Sequence, residues 1–358
     1  MTTPQLFWDW GTAYDLFVSL AVLHEPGDFG VRGSWAAGVR ARLPTAEREA
    51  LEQSLVAGHV PFHWIYALPQ PKDALTALWA LEKLPAEERL PALALAPGWP
   101  TDDMRAILAE VAARGTWDEG DQEALQAAYL CKYPGKAGKK ETLSQEMAGI
   151  LGMWSRLEEF GERYAKALSA YQEAFFAEEE RRIQPALRAA LSRAQELAEE
   201  MALLDLLEEL SQGLRYDEWT GAPELVLAPS YWCTPLMYMG KVSTNRDIRL
   251  FGARPADASL VPGEVVPDAM LRTLKALSDP TRLRILQYLA EEPLTPAELS
   301  RRLRLRAPTV IHHLQALRLA GLVQLTLGED KEVRRYAARP GAVAAAFDTL
   351  QGFLAKDG

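Results

Sequence analysis

The chain has 358 residues, 48% hydrophobic and 25% charged, a globular composition with length for two or three domains. Its two cysteines, Cys131 and Cys233, carry no CxxC spacing, no apolar run reaches the roughly 18 residues needed to span a bilayer, and no basic and apolar leader opens the sequence; the expectation is a reduced, cytoplasmic protein without a membrane partner. The net charge of −10, taken whole, argues against nucleic acid.

The first part reads as short helices. Ala13 to His24 is apolar at helical spacing, and EPGDFG (25–30) breaks it. Helices are expected at Arg32–Arg42 and Ala46–Val56, the second capped by Thr45, and at Asp73–Leu84, Asp102–Arg114 and Asp118–Cys131. YPGKAGKKE (133–141) is a basic loop. Two long amphipathic stretches follow. Met147, Leu151, Trp154, Leu157, Tyr164, Leu168, Tyr171 and Phe175 form one apolar stripe; Leu187, Leu191, Ala194, Ala198, Met201 and Leu204 form a second. Pro185 between them predicts a break, and the pair is expected to pack as an antiparallel hairpin or to pair with another copy as a coiled coil. Past Gly213, the segments 224–230, 235–243 and 247–255 are short, apolar and punctuated by Pro and Gly, which predicts two or three strands. Residues 255–267 read as a linker or a boundary strand.

The texture changes again at Asp268. From there to Gly358 the chain holds 14 Lys+Arg against 10 Asp+Glu, a balance of +4 that leaves −14 for the rest, and all ten tryptophans lie before it. Local charge governs docking to phosphates, so this end stays eligible for nucleic acid. Asp279-Pro280 starts a helix with Leu283, Ile285, Leu286 and Leu289 on its core face. Thr295-Pro-Ala-Glu298 is a capping box that starts a second, short helix. Pro308 opens a third. On it Val310, Leu314 and Leu317 share the inner face; Thr309, His312, His313 and Ala316 face outward, with Gln315 and Leu319 on the flank. Alternating Val323, Leu325 and Leu327, a polar turn, then Val333 and Tyr336 predict a hairpin. Two short helices, a projecting helix and a hairpin make a winged helix-turn-helix.

LKALSDPTRLRILQYL (274–289), TVIHHLQALRLAGLV (309–323) and the Tyr-bearing wing strand resemble the ArsR-type winged-helix repressors, over about ninety residues of the 358. The resemblance implies a symmetric dimer, double-stranded DNA as partner and an operator affinity altered by an effector. Thr309, His312, His313 and Gln315 are the candidate base contacts; Arg301, Arg302, Arg304 and Arg306 at the bend, and Arg334 and Arg335 on the wing, are the candidate phosphate contacts. Ile311 stands where that family usually has a serine, Ala307 and Pro308 stand where polar residues often sit, and Glu329, Asp330 and Glu332 crowd the wing tip. AYDLFVSLAVLHEPGDFG (13–30) and SWAAGVRARLP (34–44) resemble the amino-terminal extension of longer bacterial relatives.

No metal, cofactor or catalytic centre is expected. His312 and His313 are consecutive and diverge by about 100° on a helix. His59 and His63 are separated by Pro61, and no carboxylate stands ready to help them. PGKAGKKE lacks phosphate-loop spacing, and no GxSxG occurs. Trp8, Trp10, Tyr14, Phe17, Trp35, Trp64, Tyr66 and Trp79 are candidates for a pocket that takes a small organic effector. The expected architecture is mainly α with small β elements: a helical sensor and dimerisation domain (1–260) with a long helical hairpin and a few short strands, then a winged helix-turn-helix (268–358). The expected function is a dimeric DNA-binding repressor answering a non-metal signal. The alternative is a protein-interaction module in which the winged helix serves docking or dimerisation.

Overall fold

The computed structural model describes residues 3–55, 60–135, 140–259, 266–327 and 334–355. A short strand β1 (Gln5–Trp8) leads into α1 (Thr12–His24), α2 (Gly33–Arg40) and α3 (Thr45–Ser54). Then come α4 (Phe62–Ala67), α5 (Ala74–Glu82), α6 (Ala86–Ala94), α7 (Asp102–Arg114), α8 (Glu119–Lys132) and α9 (Lys140–Trp154). Side-chain caps set several starts: Asp73 accepts from the Thr76 N–H at 2.8 Å, and Asp118 and Asp121 form a reciprocal capping box. Thr45 caps nothing; it is the first helical residue after Pro44. Strand β1 and helix α4 are too short to show a period, and α6 carries Pro91 inside it, so none of the three is expected from the sequence.

The two amphipathic stretches do not fold back on each other. The first stripe breaks at Ser155–Arg156, and α10 (Leu157–Tyr171) passes through a π-helical turn (172–176) straight into α11 (Ala177–Glu200). Pro185 lies inside α11. A proline forfeits one N–H bond but need not end a helix whose packing holds it, so the expected hairpin turn is replaced by one long, locally over-wide helix. Stripe residues Leu151, Leu168, Tyr171, Leu187 and Ala194 are all buried, as their spacing requires. Short α12 (Leu203–Leu210) turns the chain back.

The strands expected near 224–255 appear as β3 (Glu224–Ser230), β4 (Tyr238–Ser243) and β5 (Arg246–Gly252), preceded by β2 (Leu214–Tyr216). A four-stranded sheet runs β1-β3-β5-β4, parallel except for β4. Helices cover both faces of β3, so its apolar run is continuous rather than alternating. Val226, Ala228, Ile248 and Leu250 enter the main helical core, while Leu225, Leu227 and Phe251 pack with Ala194, Leu206 and Leu207. Asp15 on α1 is completely buried against the end of β3, accepting from Ser230 Oγ at 2.7 Å and the Trp232 N–H at 2.9 Å.

The C-terminal module comprises α13 (Asp268–Leu277), α14 (Pro280–Glu291), α15 (Pro296–Leu303), α16 (Ala307–Leu319), β6 (Val323–Leu327), β7 (Arg334–Ala338) and α17 (Pro340–Ala355). It has its own core, built around Ile285, Leu289, Leu299, Val310, Leu314 and Leu317. Leu283, expected in that core, is 47% exposed. The linker expected at 255–267, the wing-tip acids Glu329, Asp330 and Glu332, and Val333 lie partly or wholly outside the described residues. The wing is not a two-stranded hairpin: β2, some 110 residues upstream, adds to β6 in parallel, Leu214 beside Leu325 and Tyr216 beside Leu327. Among the described residues no helix is long and apolar enough to cross a membrane.

Candidate nucleic-acid interface

Asp279 starts α14 by accepting from the Thr281 and Arg282 N–H groups at 2.8 and 3.0 Å. Those bonds hold its carboxyl below the usual carboxylate range. Thr295 and Glu298 form the capping box of α15, as the spacing predicts. The tight connection to α16 is made by Arg304 in the left-handed region (φ 57°), an uncommon conformation for a residue with a Cβ. Arg306 is the cap position of α16, with Pro308 in its first turn.

Helix α16 then presents two faces. Val310, Leu314 and Leu317 are buried. Thr309, Ile311, His312 and Gln315 are exposed on the outer side. His313 differs from its neighbour: it is half-buried, burial pushes its imidazole below the usual range, and it lies close enough to Asp279 and Arg282 to feel both charges. The two imidazole rings sit 6.1 Å apart at 59°. His63 is engaged elsewhere, its Nε2 2.9 Å from the Ala92 carbonyl, and His59 lies outside the described residues. Among the described residues no three His, Cys, Asp or Glu side chains are grouped to hold a metal ion.

The candidate phosphate contacts fall into two sets. Arg301, Arg304 and Arg306 are exposed, and among the described residues they form no ion pair. Arg302 is committed within the module: it donates to Glu292 at 2.6 Å and lies 5.7 Å over the Tyr288 ring. On the wing, Arg334 and Arg335 are consecutive on a strand and point to opposite faces. Arg335 donates to the Pro293 carbonyl at 3.2 Å and lies 3.8 Å from Glu298, while Arg334 stands opposite Leu327.

Two arginines passed over in the sequence join this module to the rest of the chain. Arg318, in the last turn of α16, donates to the Ser211 and Gln212 carbonyls at 2.7 and 2.9 Å; Arg339 donates to the Gln212 and Gly321 carbonyls, both at 3.0 Å. Burial lowers the Arg318 guanidinium to about 10. A cation in a last helical turn is ordinarily read as a partner of its own helix end, so no sequence signal separated Arg318 from that commoner role.

Residues 279–324 match the model of the bacterial regulatory proteins of the arsR family. The chain is also similar to the HTH-type transcriptional regulator CmtR of Mycobacterium bovis and to that of Mycobacterium tuberculosis. Each is 37% identical over 94 residues, which covers 26% of this chain and 79% of the relative.

Proposed function

The chain belongs to the arsR family of bacterial regulatory proteins, and from that premise we propose that this helix-turn-helix transcriptional regulator is a dimeric repressor. It binds operator DNA through α16 and responds to a non-metal signal received by residues 1–260. The observation that carries the reading is the outer face of α16. Thr309, His312 and Gln315 stand exposed on a helix locked from behind by three buried aliphatics, with Arg304 and Arg306 exposed at its start. A helix of this kind enters the major groove, where its outward side chains reach base edges and flanking cations hold phosphates. Ile311, 52% exposed on the same face, suits the 5-methyl group of thymine, the one apolar feature of that groove.

Helix α17 supports the dimer. It buries no residue within the chain, yet carries Phe347 and Leu354 exposed at 52% and 68%; an apolar helix face of this kind is satisfied by a second copy. Two such modules engage half-sites about 34 Å apart. The protein then works where DNA is, in the cytoplasm.

The test is selection of duplexes by the purified full chain, followed by a salt titration. Arg304→Ala and Arg306→Ala should weaken binding on all sequences and flatten the slope of log K against log salt by about 1 each. Arg302→Ala should do less, because Glu292 already holds that guanidinium. His312→Ala, Gln315→Ala and Ile311→Ser should instead change the preferred sequence. Absence of salt-sensitive binding to any duplex would sink the reading. The exposure of Ile311 also favours a second one, an interaction module for a protein. Its mark is a complex that survives nuclease and is lost on Ile311→Ser.

A further inference from the structure

A cleft of about 820 Å³ opens where the wing meets the sheet of the N-terminal part. One wall is a face of the wing sheet. Leu214 and Tyr216 on β2 pair with Leu325 and Leu327 on β6, and Leu327 pairs with Arg334 on β7. Side chains alternate along strands, so these residues share one face. The other wall is the edge of the four-stranded sheet, where the cross-strand pairs Met239–Arg249 and Lys241–Asp247 meet. The segment around Trp219 closes one end. Gly221 there has no room for a Cβ, which would run into the Trp219 ring and Asp247 Oδ2.

The chemistry of the walls is uneven. Met239 is 51% exposed, an apolar side chain left open to the cleft. Asp247 is buried and already served: Lys241 donates to it at 3.0 Å, the Ala222 N–H at 3.2 Å, and Arg249 lies 3.5 Å away. Arg249 is 91% buried by its 9% exposure, with its guanidinium 5.4 Å over Trp219 and one nitrogen donating to the Ile248 carbonyl. Its Nε is buried and has no hydrogen-bond partner among the described residues. An orphaned guanidinium donor in a buried position is costly unless something accepts from it. Counting Lys241, Arg249 and Arg334 against Asp247 and Glu218, the cleft keeps one positive charge in excess.

We propose that this cleft is the site of the signal: it binds a small organic anion, a carboxylate carried on an apolar or aromatic body. The carboxylate takes the Lys241–Arg334 side of the cleft, with the buried Arg249 guanidinium behind that wall, and the body lies against Met239, Leu325, Leu327 and the Trp219 segment. The inference rests on the reading of the chain as a signal-responsive DNA binder. It adds where the signal lands and what it is made of. Because one wall is the wing itself, an occupant bridges the wing sheet to the body and changes the freedom of the wing. By linkage, operator duplex and bound carboxylate then change each other's affinity by the same factor.

The experiment titrates 2-naphthoate and decanoate into the full chain by calorimetry, with 2-naphthalenemethanol as the uncharged match. The expected result is saturable binding of at least one carboxylate, one per chain, at least about tenfold tighter than the alcohol. Lys241→Met and Leu327→Trp, the first removing a half-exposed charge and the second filling the cleft, should each weaken it about tenfold or more. Circular dichroism reports whether each variant still folds. No binding of either carboxylate up to about 1 mM, or affinity unchanged in both Lys241→Met and Leu327→Trp, overturns the proposal. Duplex binding is measured on the same preparations. Carboxylate binding without duplex binding keeps the site and rejects the regulator reading; duplex binding without carboxylate binding does the reverse.

Discussion

Asp15 is the residue where burial and hydrogen bonding compete most openly. It has no exposure and sits among three donors, Ser230 Oγ, the Tyr231 N–H and the Trp232 N–H. Burial nevertheless wins and raises its carboxyl from 3.8 to about 7. The folded chain therefore holds a proton that the unfolded chain has released between those two values. Stability from this group is full below about pH 4 and is lost as pH rises toward 7. Urea midpoints measured at pH 5 and pH 8 should fall more in the wild-type chain than in Asp15→Asn, which has no proton to lose; equal falls would refute the assignment. Nothing in the sequence marked Asp15. An acid in the first turn of an apolar helix is ordinarily a partner of the helix N-terminus, and only the return of Ser230–Trp232, over 200 residues later, closes the pocket around it.

At the scale of elements, legibility followed length and local chemistry. α7 matches its expected bounds, and α14 and α15 start where Asp279 and the Thr295–Glu298 box place them, because capping is decided within four residues. Where a distant partner decides, the local sequence carries no sign of it. β2 has three residues, too few to alternate visibly, and exists because β6 offers it an edge. Pro185 looked like a stop, yet packing of Ile183 and Leu187 carries α11 through it. The candidate interface was partly legible in the same way. The inner and outer faces of α16 followed from periodicity, but the partial burial of His313 and the capture of Arg302 by Glu292 depend on neighbouring helices. Arg318 belongs to this scale as well, since it ties the end of α16 to the carbonyls that precede β2. Arg318→Met should cost about 1.5–3 kcal/mol, the range for hydrogen bonds from a charged group. Hydrogen exchange should show the loss first in residues 214–216 and 323–327; protection unchanged there would mean that the strand pairing stands without it.

For the whole molecule, residues before Asp268 fill two buried clusters, a large one and a smaller one against β3 and β5, and the C-terminal module fills a third around α14–α16. Among the candidate pocket aromatics, Tyr14 and Phe17 are core residues and Trp79 is 56% exposed, while Trp219, which the sequence did not single out, lines the cleft at the wing. The proposed dimer is a property at this scale. Phe347→Asp with Leu354→Asp should leave each chain folded, since both side chains are more than half exposed, and should shift sedimentation to the monomer. Operator affinity should fall steeply with it, because one half-site then binds alone. A dimer that persists would move the interface to residues 1–260.

The amino-acid sequence by itself determined the winged helix-turn-helix, its caps, its buried face and its kinship. Each rests on residues within one or two helical turns of each other, where spacing alone places side chains. Only the tertiary structure decided that the wing takes a third strand from upstream, which arginines remain free, and that a cleft lies between the wing and the four-stranded sheet. Those depend on contacts between separate elements, from about ten residues apart for Arg302 and Glu292 to about 110 for β2 and β6, which no local period encodes.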